Sequence, residues 1–302
     1  MPYAPGQGNL RRVIVTVTLN PALQVRYETK RVTLGTRNEV SGVRYRTGGR
    51  GLAVARVLHT FGHEVVAAGL AGGASGEVIR EELARAGVPA QFTPISGESR
   101  RVLELTNFSD GSVTTFSEPA PYITTEELGR LAADYRSLLA DASAAVLCGS
   151  LPAGLPDETY GSLASYASDA GVPVVLDAGG SALWHAVTRR PALVIPEPAD
   201  AADARALVAS GARAAAVVSD GGVSVITGDG IWTATVAGEQ LITASRDALV
   251  AGFVPGTVLG WSWADTLAHA LALAVSCGEA GDVDLEVYER LLTCVTVTSE
   301  QT

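Results

Sequence analysis

From Thr124 onward, apolar runs of strand length alternate with longer stretches of helical period, and this alternation constrains the fold more than any other feature. A helical stretch from Glu126 to Leu139 leads to a strand from Ala144 to Cys148, and another from Glu158 to Asp169 leads to Val174–Leu176. A strand at Leu193–Ile195 precedes a helix at Ala201–Ser210. A strand at Ala214–Val218, a hairpin turning at Asp229-Gly230, and helices from Asp247, Trp263 and Leu285 complete the series. Strands separated by helices pair in parallel through right-handed crossovers. The pattern therefore predicts a doubly wound, mostly parallel α/β sheet with helices on both faces. Upstream, Val13–Leu19 and Val65–Gly69 read as buried strands, and Gly51–Phe61 and Ser75–Ala86 as helices, the second with Ser75 as its N-cap.

Two segments break this pattern. Val25–Arg46 alternates polar and apolar residues in short pieces interrupted at Gly35 and Gly42. Arg101–Thr106 and Ser112–Phe116 flank Asp110-Gly111, a strong hairpin signal. Both read as exposed antiparallel strands, and together they predict a small β-sheet lid over roughly residues 24–47 and 99–118. Residues 1–10, rich in Pro and Gly, read as a flexible tail, and residues 11–302 as a single domain.

Composition removes several classes of function. A formal charge of −10 repels phosphate backbones, so no nucleic-acid partner is expected. Lys30 is the only lysine and is followed by Arg31, which rules out a Walker A loop. Cys148, Cys277 and Cys294 form no CxxC pair, so neither a disulfide framework nor a cysteine zinc site is suggested. His59 and His63 have i, i+4 spacing, but Gly62 intervenes, and surface or cap histidines are the expectation. The first ten residues lack a signal-peptide core, and no apolar run reaches the roughly 18 residues of a membrane span. A soluble cytoplasmic protein is expected.

Four motifs occur in order. Thr18-Leu19-Asn20-Pro21-Ala22-Leu23 follows the first strand. Gly48-Gly49-Arg50-Gly51-Leu52-Ala53-Val54-Ala55-Arg56 opens a helix, and Gly149-Ser150-Leu151-Pro152-Ala153-Gly154 follows a strand. Asp247-Ala248-Leu249-Val250-Ala251-Gly252-Phe253 opens a later helix. In this order they resemble the ribokinase-like (PfkB) sugar kinases, in the branch of the 1-phosphofructokinases and tagatose-6-phosphate kinases. The resemblance implies a sheet of about nine strands with a β lid over the sugar site. It also implies ATP and Mg²⁺ as donor and metal, and a homodimer paired through the lids.

Phosphoryl transfer to a hydroxyl needs a base, donors for the charge on the γ-phosphate, and a metal for the phosphate chain. By resemblance the base is Asp247; its other reading is a helix N-terminal acid stabilised by the dipole. The family's GAG ahead of that Asp is Ala244-Ser245-Arg246 here, so the anion hole falls to Arg246 and the backbone N–H groups nearby. Ser219-Asp220-Gly221-Gly222 resembles the nucleotide turn, or else is an ordinary Gly turn; the resemblance makes Ser219, Gly221, Ala244 and Ser245 nucleotide contacts. On the acceptor side the resemblance assigns Gln24, Gly48, Gly49, Arg50 and Arg100, with both arginines gripping a phosphate in one cleft. Glu197 and Asp200 stand where the family organises Mg²⁺ through water, or else form an ordinary loop and helix cap.

The departures from the family pattern are concentrated. Gln24 stands in place of a sugar-holding Asp, Ala53 in place of an Asn, and Val102 in place of another Asn. Framework positions persist while polar positions toward the sugar and the γ-phosphate have changed. Two readings follow: an ATP-dependent phosphotransferase acting on a hydroxyl of a sugar or sugar phosphate with non-standard specificity, or a catalytically impaired homologue that binds a sugar phosphate or nucleotide. A purely structural partner protein is a third.

Overall fold

The computed structural model describes residues 13–219, 222–236, 245–278 and 282–301, and the N-terminal tail of the sequence reading lies outside them. The first half contains β1 (Val13–Thr18), β2 (Ala22–Thr29), β3 (Gly42–Gly48), α1 (Arg50–Thr60), β4 (Val65–Ala71), α2 (Gly73–Arg85), β5 (Ala90–Pro94), β6 (Arg100–Asn107) and β7 (Ser112–Ser117). The alternating half runs α3 (Thr125–Leu139), β8 (Ala142–Cys148), α4 (Thr159–Asp169), β9 (Val174–Ala178), α5 (Gly180–Val187) and β10 (Leu193–Pro196). A 3₁₀ turn (Pro198–Asp203), α6 (Ala204–Ala209), β11 (Ala214–Ser219), β12 (Gly222–Thr227), β13 (Gly230–Val236), α7 (Arg246–Leu259), α8 (Trp263–Ser276), α9 (Leu285–Leu292) and β14 (Val295–Gln301) complete it.

Among the described residues the main sheet has ten strands in the order β14-β13-β12-β11-β10-β9-β8-β1-β4-β5. The run from β11 to β5 is parallel throughout, and β12, β13 and β14 extend it antiparallel. Strand side chains alternate between two cores, as a period of two requires. Ile14, Ala144 and Val146 face α1, α2, α7, α8 and α9, whereas Val15, Ala145 and Leu147 face α3 to α6. The sheet is thus covered on both faces, and the apolar strand sequences follow from that.

The second sheet is the lid, in the order β3-β2-β6-β7. One of its faces carries Gln24, Arg46 and Arg100, and the other carries Val25, Tyr45, Leu103 and Phe116 in one row across four strands. The lid is pinned at its root. Glu98 accepts the N–H groups of Ala74 (3.1 Å) and Ser75 (2.6 Å), and Ser99 Oγ accepts that of Gly72 (3.1 Å).

Some local expectations change. The N-cap of α2 is Gly72, and the Glu98 carboxylate does the work expected of Ser75, which lies inside the first turn. The stretch 201–210 begins as a 3₁₀ turn. The main sheet has ten strands, against an expectation of about nine, and β5 and β14 form its two edges. His63 is buried rather than at the surface.

His63 and His269 are both inside, and His269 Nδ1 lies 2.6 Å from the Tyr288 hydroxyl, ringed edge-on by Phe61 and Trp261. Burial first, and then the neighbouring His63, lower the His269 pKa from 6.5 to about 3. The unfolded chain therefore takes up this proton below about pH 6.5 while the folded chain refuses it, so the contribution to stability is complete above that pH and is lost as pH falls toward 3. Thermal melts should show stability falling between about pH 7 and pH 5, and His269→Gln, which does not titrate, should flatten that slope even if it lowers the starting value.

Candidate active site

Parallel sheets collect ligands at the carboxyl ends of their strands, and the polar residues of this chain gather there. At the end of β9, Asp177 is fully buried. Its Oδ1 accepts from Arg50 Nη1 (2.9 Å) and from Arg246 Nε and Nη2 (3.1 and 2.7 Å). Arg246 Nη2 also donates to the carbonyls of Ile195 (3.0 Å) and Pro196 (2.9 Å) at the end of β10. Arg50 Nη2 donates to Glu197 Oε1 at 2.5 Å. One carboxylate therefore joins the starts of α1 and α7 to the ends of two strands.

This geometry bears on two expectations about arginines. The Arg246 guanidinium is turned onto Asp177 and two carbonyls through Nε and Nη2, so those donors are engaged by the protein. Arg50 lines the cavity below the lid, with its guanidinium paired to two carboxylates. The entry to α1 is shaped by Gly49, at φ +127°, where a Cβ would meet Thr18 Cγ2 at 2.8 Å.

The cavity has a volume of about 650 Å³. Of the residues expected at the site, Gln24, Gly48, Gly49, Arg50, Arg100, Glu197, Ser245 and Asp247 line it. Ser245 is also the N-cap of α7, with its Oγ accepting the Ala248 N–H at 3.2 Å. Asp200 is not on this wall; it accepts the Gly180 N–H at 2.8 Å. Ser219 is exposed at the end of β11, bonded to the Gly222 carbonyl at 3.2 Å, and does not line the cavity. Gly221 and Ala244 lie outside the described residues.

Of the two acids that line this cavity, Asp247 stands at the start of a helix and Glu197 is paired with Arg50. Burial, then the charge of Asp177, raise the Asp247 pKa from 3.8 to about 6, against the opposing pull of Arg50, Arg246 and Arg56. Arg100 is the contrasting cation. Its Nη1 donates to Ser117 Oγ (3.0 Å), its buried Nε has no partner, and burial lowers its pKa. Residues the sequence reading passed over complete the walls: Asn20, which donates to Ser150 Oγ at 3.2 Å, together with Arg46, Arg56 and Cys277. Asp177 was also passed over, although an acid closing an apolar strand is itself a signal.

Two carboxylates meet over Gly179, where a Cβ would lie 2.8 Å from Glu197 Oε2 and 2.9 Å from Asp200 Oδ2. Oxygen donors of this type suit Mg²⁺, which is commonly held by one or two carboxylates together with substrate phosphates. Among the described residues no group of three or more metal-ligating side chains occurs.

A doubly wound sheet, a β lid and an acid at a helix start facing the lid cavity define a ribokinase-like protein. The chain belongs to the pfkB family of carbohydrate kinases, whose family model matches residues 20–283. Solved structures repeat the fold. A putative phosphofructokinase from Staphylococcus aureus is 24% identical with a TM-score of 0.83, over 95% of this chain and 99% of that one. A possible 1-phosphofructokinase from Thermotoga maritima is 24% identical with a TM-score of 0.80, over the same shares of 95% and 99%. Phosphofructokinase-2 from Escherichia coli in complex with fructose-6-phosphate is 22% identical with a TM-score of 0.80, over 93% and 98%.

The Asp177 cluster should carry much of the local stability. Arg246→Gly removes two hydrogen bonds from a buried acid that keeps Arg50 as a partner, and two more from strand-end carbonyls, so a loss of about 2–4 kcal/mol in urea unfolding is expected. A change within about 0.5 kcal/mol would show that the cluster is not a clamp.

Proposed function

We propose that this protein moves the γ-phosphoryl group of ATP to a hydroxyl of a phosphorylated sugar. The observation that carries the reading is the shared cavity of Asp247 and Arg100: a buried carboxylate with a raised pKa, and a guanidinium with an unpartnered buried Nε. Family membership, and the fructose-6-phosphate bound to the E. coli neighbour, support a sugar-phosphate acceptor.

In this reading Arg100 holds the acceptor's phosphate and Asp247 takes the proton from the attacking hydroxyl. A pKa near 6 leaves the carboxylate mostly ionised at neutral pH while keeping it basic enough to accept that proton. The N–H groups of Arg246 and Asp247, first in α7, have no acceptor within the helix and supply the anion hole in place of the Arg246 side chain. Asp177 and its two arginines hold the start of α7 in position. Glu197 and Asp200 would hold Mg²⁺, which when bound neutralises the phosphate chain of the donor. The lid row Val25, Tyr45, Leu103 and Phe116 points away from the cavity, and Tyr45 and Phe116 are more than half exposed, which suits a homodimer paired lid to lid. Tyr45→Glu should then shift sedimentation toward the monomer.

A second reading, a homologue that binds but does not transfer, is favoured by one specific observation: Arg246 adds a bulky side chain at the start of α7 where the family carries glycine. Turnover separates the two. With Mg-ATP and a panel of hexose phosphates, Asp247→Asn should keep ligand binding and lose about 10²–10⁴ in kcat. The wild-type rate should rise with pH through about 6, as Asp247 ionises. No transfer to any acceptor, with binding confirmed by calorimetry, selects the second reading.

A further inference from the structure

The arginines in and beside the cavity divide into two kinds. Arg50 and Arg246 are satisfied by carboxylates, whereas Arg56 is not. Its Nη2 makes one long bond to the Thr47 carbonyl (3.3 Å), its Nε is buried with no partner, and no carboxylate of the described residues pairs with it. Arg46 stands beside it. Burial, then the Arg46 cation, lower the Arg56 pKa, against the attraction of Asp247, Asp282 and Glu82. A guanidinium that has lost water without gaining a full set of acceptors, next to a second guanidinium, is a place where an incoming oxyanion is strongly favoured.

Position in the lid separates this pair from Arg100. Gln24 is paired with Arg46 on β3, while Ala22 is paired with Arg100 on β6, so the two arginines flank β2 from opposite sides. All three of Gln24, Arg46 and Arg56 line the lid cavity and also a second cavity of about 680 Å³ that opens beside it. Of the acids lining that second cavity, Glu104 and Glu82 are paired with Arg26 and Arg85, while Asp282 adds to the field at Arg56. Gln24 adds a chemical argument. The resembled kinases place a carboxylate there to hold a sugar hydroxyl, and such a carboxylate would repel an anion. The neutral amide of Gln24 removes that repulsion beside two arginines.

We propose that Arg46 and Arg56, with Gln24, form a second oxyanion subsite in the acceptor cavity, so that the ligand carries two anionic groups, one at Arg100 and one here. The second group is a carboxylate or a phosphate, as in a phosphorylated sugar acid or a sugar bisphosphate. This rests on the sugar-phosphate reading of the same cavity but not on phosphoryl transfer.

Calorimetry without nucleotide tests it, using fructose 6-phosphate as the singly phosphorylated probe, 6-phosphogluconate as the phosphorylated acid and fructose 1,6-bisphosphate as the bisphosphate. The wild type should bind at least one doubly anionic probe about tenfold or more tighter than fructose 6-phosphate. Which probe gains identifies the second group. Arg46→Gln, at a partly exposed lid position, should narrow the ratio to about threefold or less, and Arg56→Lys should reduce it without removing the charge. Arg100→Gln should weaken all three probes. A wild-type ratio near one, or a ratio that survives both Arg46→Gln and Arg56→Lys, overturns the proposal. A large ratio in a protein that transfers no phosphoryl group supports the subsite while refuting the kinase reading. Failure of all three probes to bind refutes both.

Discussion

A carboxylate with no access to water must be neutralised by its neighbours, and in this molecule that requirement falls on Asp177. It sits at the end of β9, and its partners come from the starts of α1 and α7. Arg246 continues to two carbonyls of β10, so a single charge fixes the relative positions of two helix starts and two strand ends. Removing one partner from such a buried group leaves a penalty larger than the net worth of the pair. Freeing either Arg50 or Arg246 for a ligand would leave Asp177 with a single cation.

This constraint also decides which groups remain for chemistry. Asp247 feels both the Asp177 charge and its arginines, and its environment keeps it between a buried neutral acid and an ordinary surface carboxylate. Arg100 and Arg56, which have no carboxylate partner among the described residues, stand on the lid face and on α1, away from the cluster. The polarity of the cavity is thus arranged in two zones: a satisfied network at the strand ends, and unsatisfied donors under the lid.

Much of the fold was legible because the strands are buried on both faces and read as continuous apolar runs, and because Asp110-Gly111 marks its hairpin plainly. Three elements were not seen. α5 is only eight residues long and opens at Gly180, β5 ends in Pro94, and β14 is an edge strand whose outer residues are polar. Asp247 was legible from its place at the head of an apolar helix. The orientation of Arg246 was not, since its acceptors lie 50 to 69 residues away and only the folded sheet brings them near. Arg46 gave no signal either, being one polar residue in an alternating lid strand, and Arg56 was hidden inside a motif whose glycines drew the attention.

The register of the lid has a further consequence. Arg46 and Arg100 are held on strands either side of β2, two strand spacings apart and offset along the chain, so their Cα atoms are separated by about 10–12 Å. A hydrogen-bonded sheet bends and twists, but it does not stretch. Its root is also tied to the first turn of α2 through Glu98 and Ser99. With an anion held at each arginine, the lid would act as a ruler: it would discriminate among molecules by the distance between their charged ends, and chain length rather than stereochemistry at any one carbon would be the first property it measures.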